Sequence, residues 1–277
     1  MFLDQSATSL IKQRTSVRTY DRRPIEEEKL EALSQFLQTH TDNPFGARVR
    51  FAFLEGSHQK LGTYGFIKGA NTYFGGCVKK GGRDIEGFGY VFEKAVLFAT
   101  AMGLGTCWLG GTFKRNSFSA LLKPDDEFLP AVSPIGYPAA QKTLTEKMVA
   151  ASAGARKRKR FGELFFKESV QTPLYMEENA LCECLEMVRI GPSASNKQPW
   201  RVIVKDGTCH FYLALDKHYA GNTLYGFCMQ RIDMGIAACH FELAAYEHGL
   251  PGNIVFDDPQ LPPDYKEDNW HYSFSWR

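Results

Sequence analysis

Near the N-terminus, Arg14-Thr15-Ser16-Val17-Arg18-Thr19-Tyr20 sets two guanidinium groups four residues apart with a hydroxyl between them. Such groups can converge on one phosphate, arginine supplying forked donors and serine a rotatable one. A solvated basic face fits the same spacing. A second group is the loop Gly191-Pro192-Ser193-Ala194-Ser195-Asn196-Lys197-Gln198-Pro199-Trp200. Two prolines stiffen it, and Ser193, Ser195, Asn196 and Gln198 offer the donors and acceptors that a heteroaromatic ring and its polyol tail require. Ordinary helix-to-strand turn chemistry is the alternative. In a third, Arg156-Lys157-Arg158-Lys159-Arg160, five consecutive cations repel one another unless solvated or facing an anion. In a fourth, Gly103-Leu104-Gly105-Thr106-Cys107-Trp108-Leu109-Gly110-Gly111, the glycines would let backbone approach a flat ligand closely. It is neither a Walker loop nor a G-x-G-x-x-G fingerprint, and the chain has no H-E-x-x-H metal motif and no G-x-S-x-G elbow.

The elements that must position these groups occur in an order that repeats. Segment 24–53 has an acidic helix start, Leu30, Leu33, Phe36 and Leu37 at helical spacing, a turn-rich break, and a β-branched and aromatic run. Segment 173–204 has the same order, with Leu181, Leu185 and Val188 on the helix and a Pro/Ser/Asn break before the strand. Segments 89–104 and 235–250 each read as a mostly buried helix stopped by a glycine. Helices apolar nearly all round need partners, and one from each half could pack together at the centre. In the tail, Trp270, Tyr272, Phe274 and Trp276 fall at period two, which predicts a strand with all four on one face. Between the halves lies the small-residue and basic stretch 150–160.

Composition bounds the rest. The 277 residues suffice for one large domain or two modest ones. With 33 basic and 31 acidic side chains, the net charge of +2 creates no global field for nucleic acid or a membrane, so anion recognition must be local. Seven cysteines without a C-x-x-C pair or zinc-ligand spacing imply a reduced, cytoplasmic chain. The start lacks a signal-peptide apolar block, and the longest uncharged stretch, 95–113, is broken by glycines and reads as a buried helix running into a turn and strand.

Taken together the motifs resemble the nitroreductase family of flavoproteins. An N-terminal R-x-S-x-R-x-[FY] is matched by Arg14, Ser16, Arg18 and Tyr20, and a P-S-x-x-N-x-Q-P-W loop by Pro192 through Trp200. G-L-G-x-x-W-x-G is matched by Gly103 through Gly110, P-x-G-Y-P by Pro134, Gly136, Tyr137 and Pro138, and a basic close by Arg158 to Leu164. One departure matters: the first half carries Thr41-Asp42-Asn43-Pro44-Phe45-Gly46 where the loop belongs, and the second half lacks R-x-S-x-R. The pattern is similar to the single-chain "TM nitroreductase" branch, a fused pseudo-dimer with one complete flavin site.

That resemblance implies an α+β nitroreductase fold, with mixed, mainly antiparallel sheets flanked by helices in an internally duplicated pseudo-dimer of halves 1–170 and 171–277. It implies FMN as cofactor, held by Arg14, Thr15, Ser16, Arg18, Trp108, Leu109, Gly110, Arg158, Arg160, Pro192, Ser193, Ser195, Asn196 and Gln198. The chemistry then resides on the flavin, with no separate catalytic side chain and no metal. NAD(P)H, either NADH or NADPH, would reduce it, and a small electron-poor acceptor such as a nitroaromatic or quinone would be reduced in turn. The alternative is a flavin-binding or sensing module without turnover. A nucleic-acid role would have to rest on the 156–160 run alone. Fusion implies a monomer and leaves a homodimer open.

Overall fold

The computed structural model describes residues 5–55, 62–121, 126–141, 157–216, 226–261, 267 and 269–277. The chain falls into two units, Gln13–Arg156 with Met1–Gln5, and Ser6–Lys12 with Lys157–Arg277. Of the stretch 150–160, residues 150–156 lie outside the described residues. The expected boundary after residue 170 differs from this division, because residues 157–159 hydrogen-bond to the loop ending at Gln198.

Helix α1 (Ala7–Gln13) starts the chain but belongs with the second unit. Glu247 accounts for this, since its carboxylate accepts from Thr8 N at 3.0 Å, Ser6 Oγ at 2.6 Å and Thr8 Oγ1 at 2.8 Å. A carboxylate at a helix N-terminus satisfies donors that the helix cannot.

In the first unit, Leu33, Phe36 and Leu37 form the buried stripe of α2 (Glu27–Thr39), and Glu27 and Glu28 occupy its first turn. Strands β1 (Val49–Glu55) and β2 (Thr72–Lys79) precede helix α3 (Asp84–Ala101), and β3 (Gly105–Thr106) and β4 (Glu127–Gly136) follow it. The sheet order is β1-β2-β4-β3 with antiparallel neighbours. Helix α3 is buried on nearly every side. Phe92 stacks on Phe74 of β2 at 4.8 Å between ring centroids.

In the second unit, β5 (Phe165–Lys167) precedes α4 (Ala180–Arg189), whose N-cap Asn179 accepts from Cys182 N at 2.8 Å. Strands β6 (Trp200–Lys205) and β7 (Thr208–Ala214) form a hairpin through Asp206-Gly207, both at positive φ as a two-residue turn requires. Helix α5 (Gln230–Glu247) and strands β8 (Ile254–Val255) and β9 (Trp270–Trp276) complete a sheet ordered β5-β6-β7-β9-β8, parallel only between β5 and β6.

The two glycine stops have the same geometry. Gly103 and Gly249 take φ of +75° and +66°. Leu104 N reaches Ala99 O at 2.9 Å, and Leu250 N reaches Ala245 O at 2.8 Å. Each is a Schellman ending that satisfies helix carbonyls a straight end would leave open.

The C-terminal strand corrects the sequence expectation. Tyr212 pairs with Tyr272 while the preceding Phe211 pairs with Phe274, so Ser273 is an extra, bulged residue. One inserted residue inverts the alternation. Trp270 and Tyr272 therefore join Tyr212, Phe166 and Ile203, whereas Phe274 stacks on Phe211 at 4.3 Å and Trp276 packs on Phe241 of α5. The four aromatics serve both faces of the sheet.

All seven cysteines are free. Among the described residues no helix is long and apolar enough to cross a membrane.

Candidate functional site

In the first unit the Arg14–Tyr20 segment lies against β3. Ser16 bridges Thr106, and Val17 N donates to Thr106 O at 2.8 Å. Further along, Tyr20 N donates to Lys68 O at 2.8 Å, Tyr20 bridges Pro138, and Ala139 N donates to Thr19 O at 3.0 Å. Three motifs distant in sequence thus form one structure. Two glycines permit the approach: a Cβ on Gly105 would meet Val17 Cγ2 at 2.7 Å, and one on Gly69 would meet Tyr20 O at 2.2 Å. Gly105 serves this backbone approach to the motif segment.

Arg14 is held beside a buried acid. Its side chain is 8% exposed, and Nε lies 3.9 Å from Oε1 of Glu93, which is fully buried in α3. At that distance there is no hydrogen bond, and Nε is a buried donor without a partner among the described residues. The other carboxylate oxygen of Glu93 accepts from Trp108 Nε1 at 2.7 Å. Trp108 also packs on Phe92, with ring centroids 4.4 Å apart. Of the backbone expected near a ring, Leu109 exchanges both its bonds with Val132, so its amide is committed. Gly110 O accepts from Arg115 Nη2 at 2.8 Å.

Tyr137 of P-x-G-Y-P works structurally. Its hydroxyl donates to Glu26 Oε2 and receives Lys29 Nζ at 2.8 Å, and Lys29 also reaches Met102 O at 3.0 Å. The Tyr137 hydrogen bond holds the Glu26 carboxyl below the usual range. The start of α2 is thereby tied to the end of α3.

In the second unit the loop before β6 is bound to the basic segment. Arg158 Nη1 donates to Asn196 Oδ1 at 2.6 Å, and Nη2 to Ile190 O at 3.0 Å. Asn196 Nδ2 donates to Lys157 O at 2.8 Å. Gln198, 3% exposed, has its amide fully engaged: Oε1 accepts from Lys159 N at 2.9 Å, and Nε2 donates to Lys157 O at 3.2 Å and Asn196 O at 3.1 Å. Ser193 Oγ accepts from Gln198 N at 2.9 Å. Ser195, Asn196 and Gln198 have φ of +48°, +53° and +50°. Non-glycine residues in this left-handed region each cost about 1–2 kcal/mol, and such strain clusters at functional loops. Arg160 points outward, its side chain 92% exposed beside Glu163. The Lys159 amine is lowered by burial, with nearby Arg201 adding to the effect.

The predicted residues thus gather in two sets, Arg14, Thr15, Ser16, Arg18, Trp108, Leu109 and Gly110 in one unit, and Arg158, Arg160, Pro192, Ser193, Ser195, Asn196 and Gln198 in the other. A separate cavity of about 360 Å³ lies beside the first-half loop, lined by Asn43, Arg48, Arg50 and Glu127 among others. Sequence reasoning missed Glu93, which joins Arg14 and Trp108, and Asp233, whose Oδ1 accepts from Ala194 N at 3.0 Å. A signal existed for both: each is an acid on a helix made mainly of apolar residues.

Residues 7–245 match the family described as "Putative TM nitroreductase". The chain belongs to the TM nitroreductase family. A solved structure from Thermotoga maritima, described as a "putative nitroreductase", aligns over 98% of this chain and 93% of its own, at 19% identity and a TM-score of 0.62, which is a likeness of fold. About half of the chain also aligns with a nitroreductase with bound FMN from Bacteroides fragilis, at 20% identity, 92% of that chain and a TM-score of 0.42. A nitroreductase in complex with FMN from Desulfovibrio desulfuricans aligns with 52% of this chain and 95% of its own, at 19% identity and a TM-score of 0.41. No curated protein matches the sequence. In this TM nitroreductase family member both sheets are mainly antiparallel and flanked by helices, the α+β architecture expected from the motifs.

Proposed function

We propose that the chain binds one FMN and works as an FMN-dependent NAD(P)H oxidoreductase, passing hydride to a small electron-poor acceptor such as a nitroaromatic or a quinone. The observation that carries this reading is Arg14. Its Nε is a buried donor with no hydrogen-bond partner among the described residues, Glu93 Oε1 lying 3.9 Å away, at the head of the R-x-S-x-R motif on a segment pinned to Thr106. A buried unsatisfied donor costs ~1–3 kcal/mol, more for a charged group, and an anionic oxygen removes that cost. A phosphate fits the donor set, since arginine forks and a hydroxyl are its usual partners.

On this reading Arg14, Thr15, Ser16 and Arg18 take the phosphate and the ribityl end, with positive charge added by Arg158 and Arg160. Ser193, Ser195 and Asn196, on a loop stiffened by Pro192, take the ribityl chain and ring edge. Gln198 acts through its bonds to residues 157–159. Trp108 and Gly110 pass their backbone beside the ring, and Leu109 holds that backbone to β4. FMN, when bound, supplies the hydride-accepting centre. The protein's share is position and electrostatics, with Glu93 orienting Trp108 and facing Arg14.

The test is anaerobic reduction of the purified chain after incubation with FMN. The proposal expects a yellow protein whose flavin absorption bleaches on addition of NADH or NADPH and returns when a quinone is added. A chain that takes up no FMN contradicts the binding assignment. A bound flavin that neither nucleotide reduces contradicts turnover and leaves a flavin-binding module.

A further inference from the structure

Asp233 is the fourth residue of α5 and is 2% exposed. One oxygen, Oδ1, accepts the Ala194 N–H at 3.0 Å. The other, Oδ2, is buried and has no hydrogen-bond partner among the described residues. Ala194 begins the turn in which Ser195, Asn196 and Gln198 take positive φ. Strained residues persist only when their surroundings over-determine them. Most of the bonds that do so come from Lys157–Lys159 or from the loop itself. The Asp233 carboxyl anchors the loop to the long buried helix instead.

The matching position of α3 shows what the carboxyl replaces. Helices α3 and α5 are both 18 residues long and end in the same glycine turn, and the fourth residue of α3 is Gly87. There the loop lies directly on the helix, and a Cβ at Gly87 would meet Ala47 Cβ at 2.3 Å and Asn43 Oδ1 at 2.7 Å. Asn43 closes that loop, its Oδ1 accepting from Ala47 N and its Nδ2 donating to Thr41 O and Ala47 O, and Lys94 Nζ of α3 adds a bond to Asp42 O at 3.4 Å. The 193–198 loop is instead joined to its helix by a side chain that spends one oxygen and keeps the second unspent.

We propose that Asp233 is a positioning residue that acts as a neutral carboxylic acid, holding Ala194 and through it the conformation in which Ser195 and Asn196 meet their ligand. Burial supports the neutral form, pushing the Asp233 carboxyl well above its ordinary range with the Ala194 N–H opposing it. A charged carboxylate buried without a cation is the costlier state. The ligand half of this inference rests on the flavin reading; the loop half does not.

The experiment therefore reads both, on the full chain. Hydrogen exchange of the Ser195–Gln198 amides without added flavin is compared for the wild type, Asp233→Asn, Asp233→Ala and Leu243→Ala, the last a cavity elsewhere on α5; FMN dissociation constants are measured on the same proteins. Asp233→Asn keeps an acceptor oxygen and no charge, so exchange and affinity stay within about threefold of wild type. Asp233→Ala speeds exchange and weakens FMN by about tenfold, the scale of one lost buried hydrogen bond, while Leu243→Ala leaves both unchanged. Equal loosening in Asp233→Ala and Leu243→Ala, or an Asp233→Asn as impaired as Asp233→Ala, overturns the proposal. If no variant or wild type binds FMN yet exchange still follows the Asp233 series, the flavin reading fails and the positioning role stands.

Discussion

The two loops that join a helix to the first long strand of their unit reach the same kind of helix in opposite ways. In the first unit, residues 41–47 rest on bare helix backbone at Gly87 and Asn43 closes the turn on itself. In the second, residues 193–198 hang from Asp233, Arg158 and the backbone of residues 157–159, and carry three left-handed non-glycine residues. The first loop is held by Asn43, by close packing on Gly87 and by one bond from Lys94 of α3 to Asp42 O. The second loop's polar groups are fixed mainly from outside, at a conformational cost of about 1–2 kcal/mol per left-handed residue, and on the proposed function that shape serves the flavin. The difference matches the motif content, since only the second loop carries P-S-x-x-N-x-Q-P-W.

Substitutions can break that contrast. The largest effect is expected at Gly87: Gly87→Asp forces a side chain into Ala47 and Asn43 and costs ~3 kcal/mol or more, from overpacking and a buried carboxylate together. Denaturant unfolding measures it, and a loss below ~1 kcal/mol would mean the first loop yields easily. Asn43→Ala removes the acceptor for Ala47 N and two donors, and loses ~2 kcal/mol in the same assay without altering FMN affinity. Trp108→Phe deprives Glu93 of its 2.7 Å donor, costing ~1–2 kcal/mol and loosening Arg14; weakened FMN binding, read by flavin fluorescence, sharpens the link between the two motifs.

The smallest effect is a pH dependence at α1. For the Glu247 carboxyl, burial is the largest influence and raises its pKa, but the hydrogen bonds from Ser6 and Thr8 together outweigh it and leave the group below its ordinary value. A depressed carboxylate stabilises the folded state above its unfolded pKa, and that stability is lost as pH falls through the folded value. Thermal stability is therefore expected to decline below about pH 4, near the ordinary carboxylate pKa, and Glu247→Gln should shrink that decline. An unchanged acid limb would show that Glu247 does not anchor α1.

The sequence made some of this readable because the controlling interactions are local. Gly103 and Gly249 announce their helix ends by residue type, and the stripe Leu33, Phe36, Leu37 announces α2. The arrangement of β9 was hidden, because its aromatics alternate without a break and only pairing with β7 shows that Ser273 bulges. Helix α1 was read with its sequence neighbours, whereas its partner Glu247 is 239 residues from Thr8. The candidate site divides in the same way. Residue types in R-x-S-x-R and the proline-rich loop are legible, but the engagement of Gln198 by Lys157 and Lys159 depends on chain distant in sequence.

The contrast between the loops bears most directly on how many flavins a chain holds. Only the second loop carries the P-S-x-x-N-x-Q-P-W motif, and the buried Arg14 Nε, without a hydrogen-bond partner among the described residues, lies in the first unit. The decisive measurement is the FMN-to-chain ratio of the purified, reconstituted protein, taken from flavin absorbance and amino-acid analysis, for the wild type and for Arg14→Ala. The account predicts one FMN per chain in the wild type and an affinity at least about tenfold weaker in Arg14→Ala, the scale of a lost charge-assisted bond. A ratio near two, or an Arg14→Ala that binds FMN as tightly as the wild type, would contradict it.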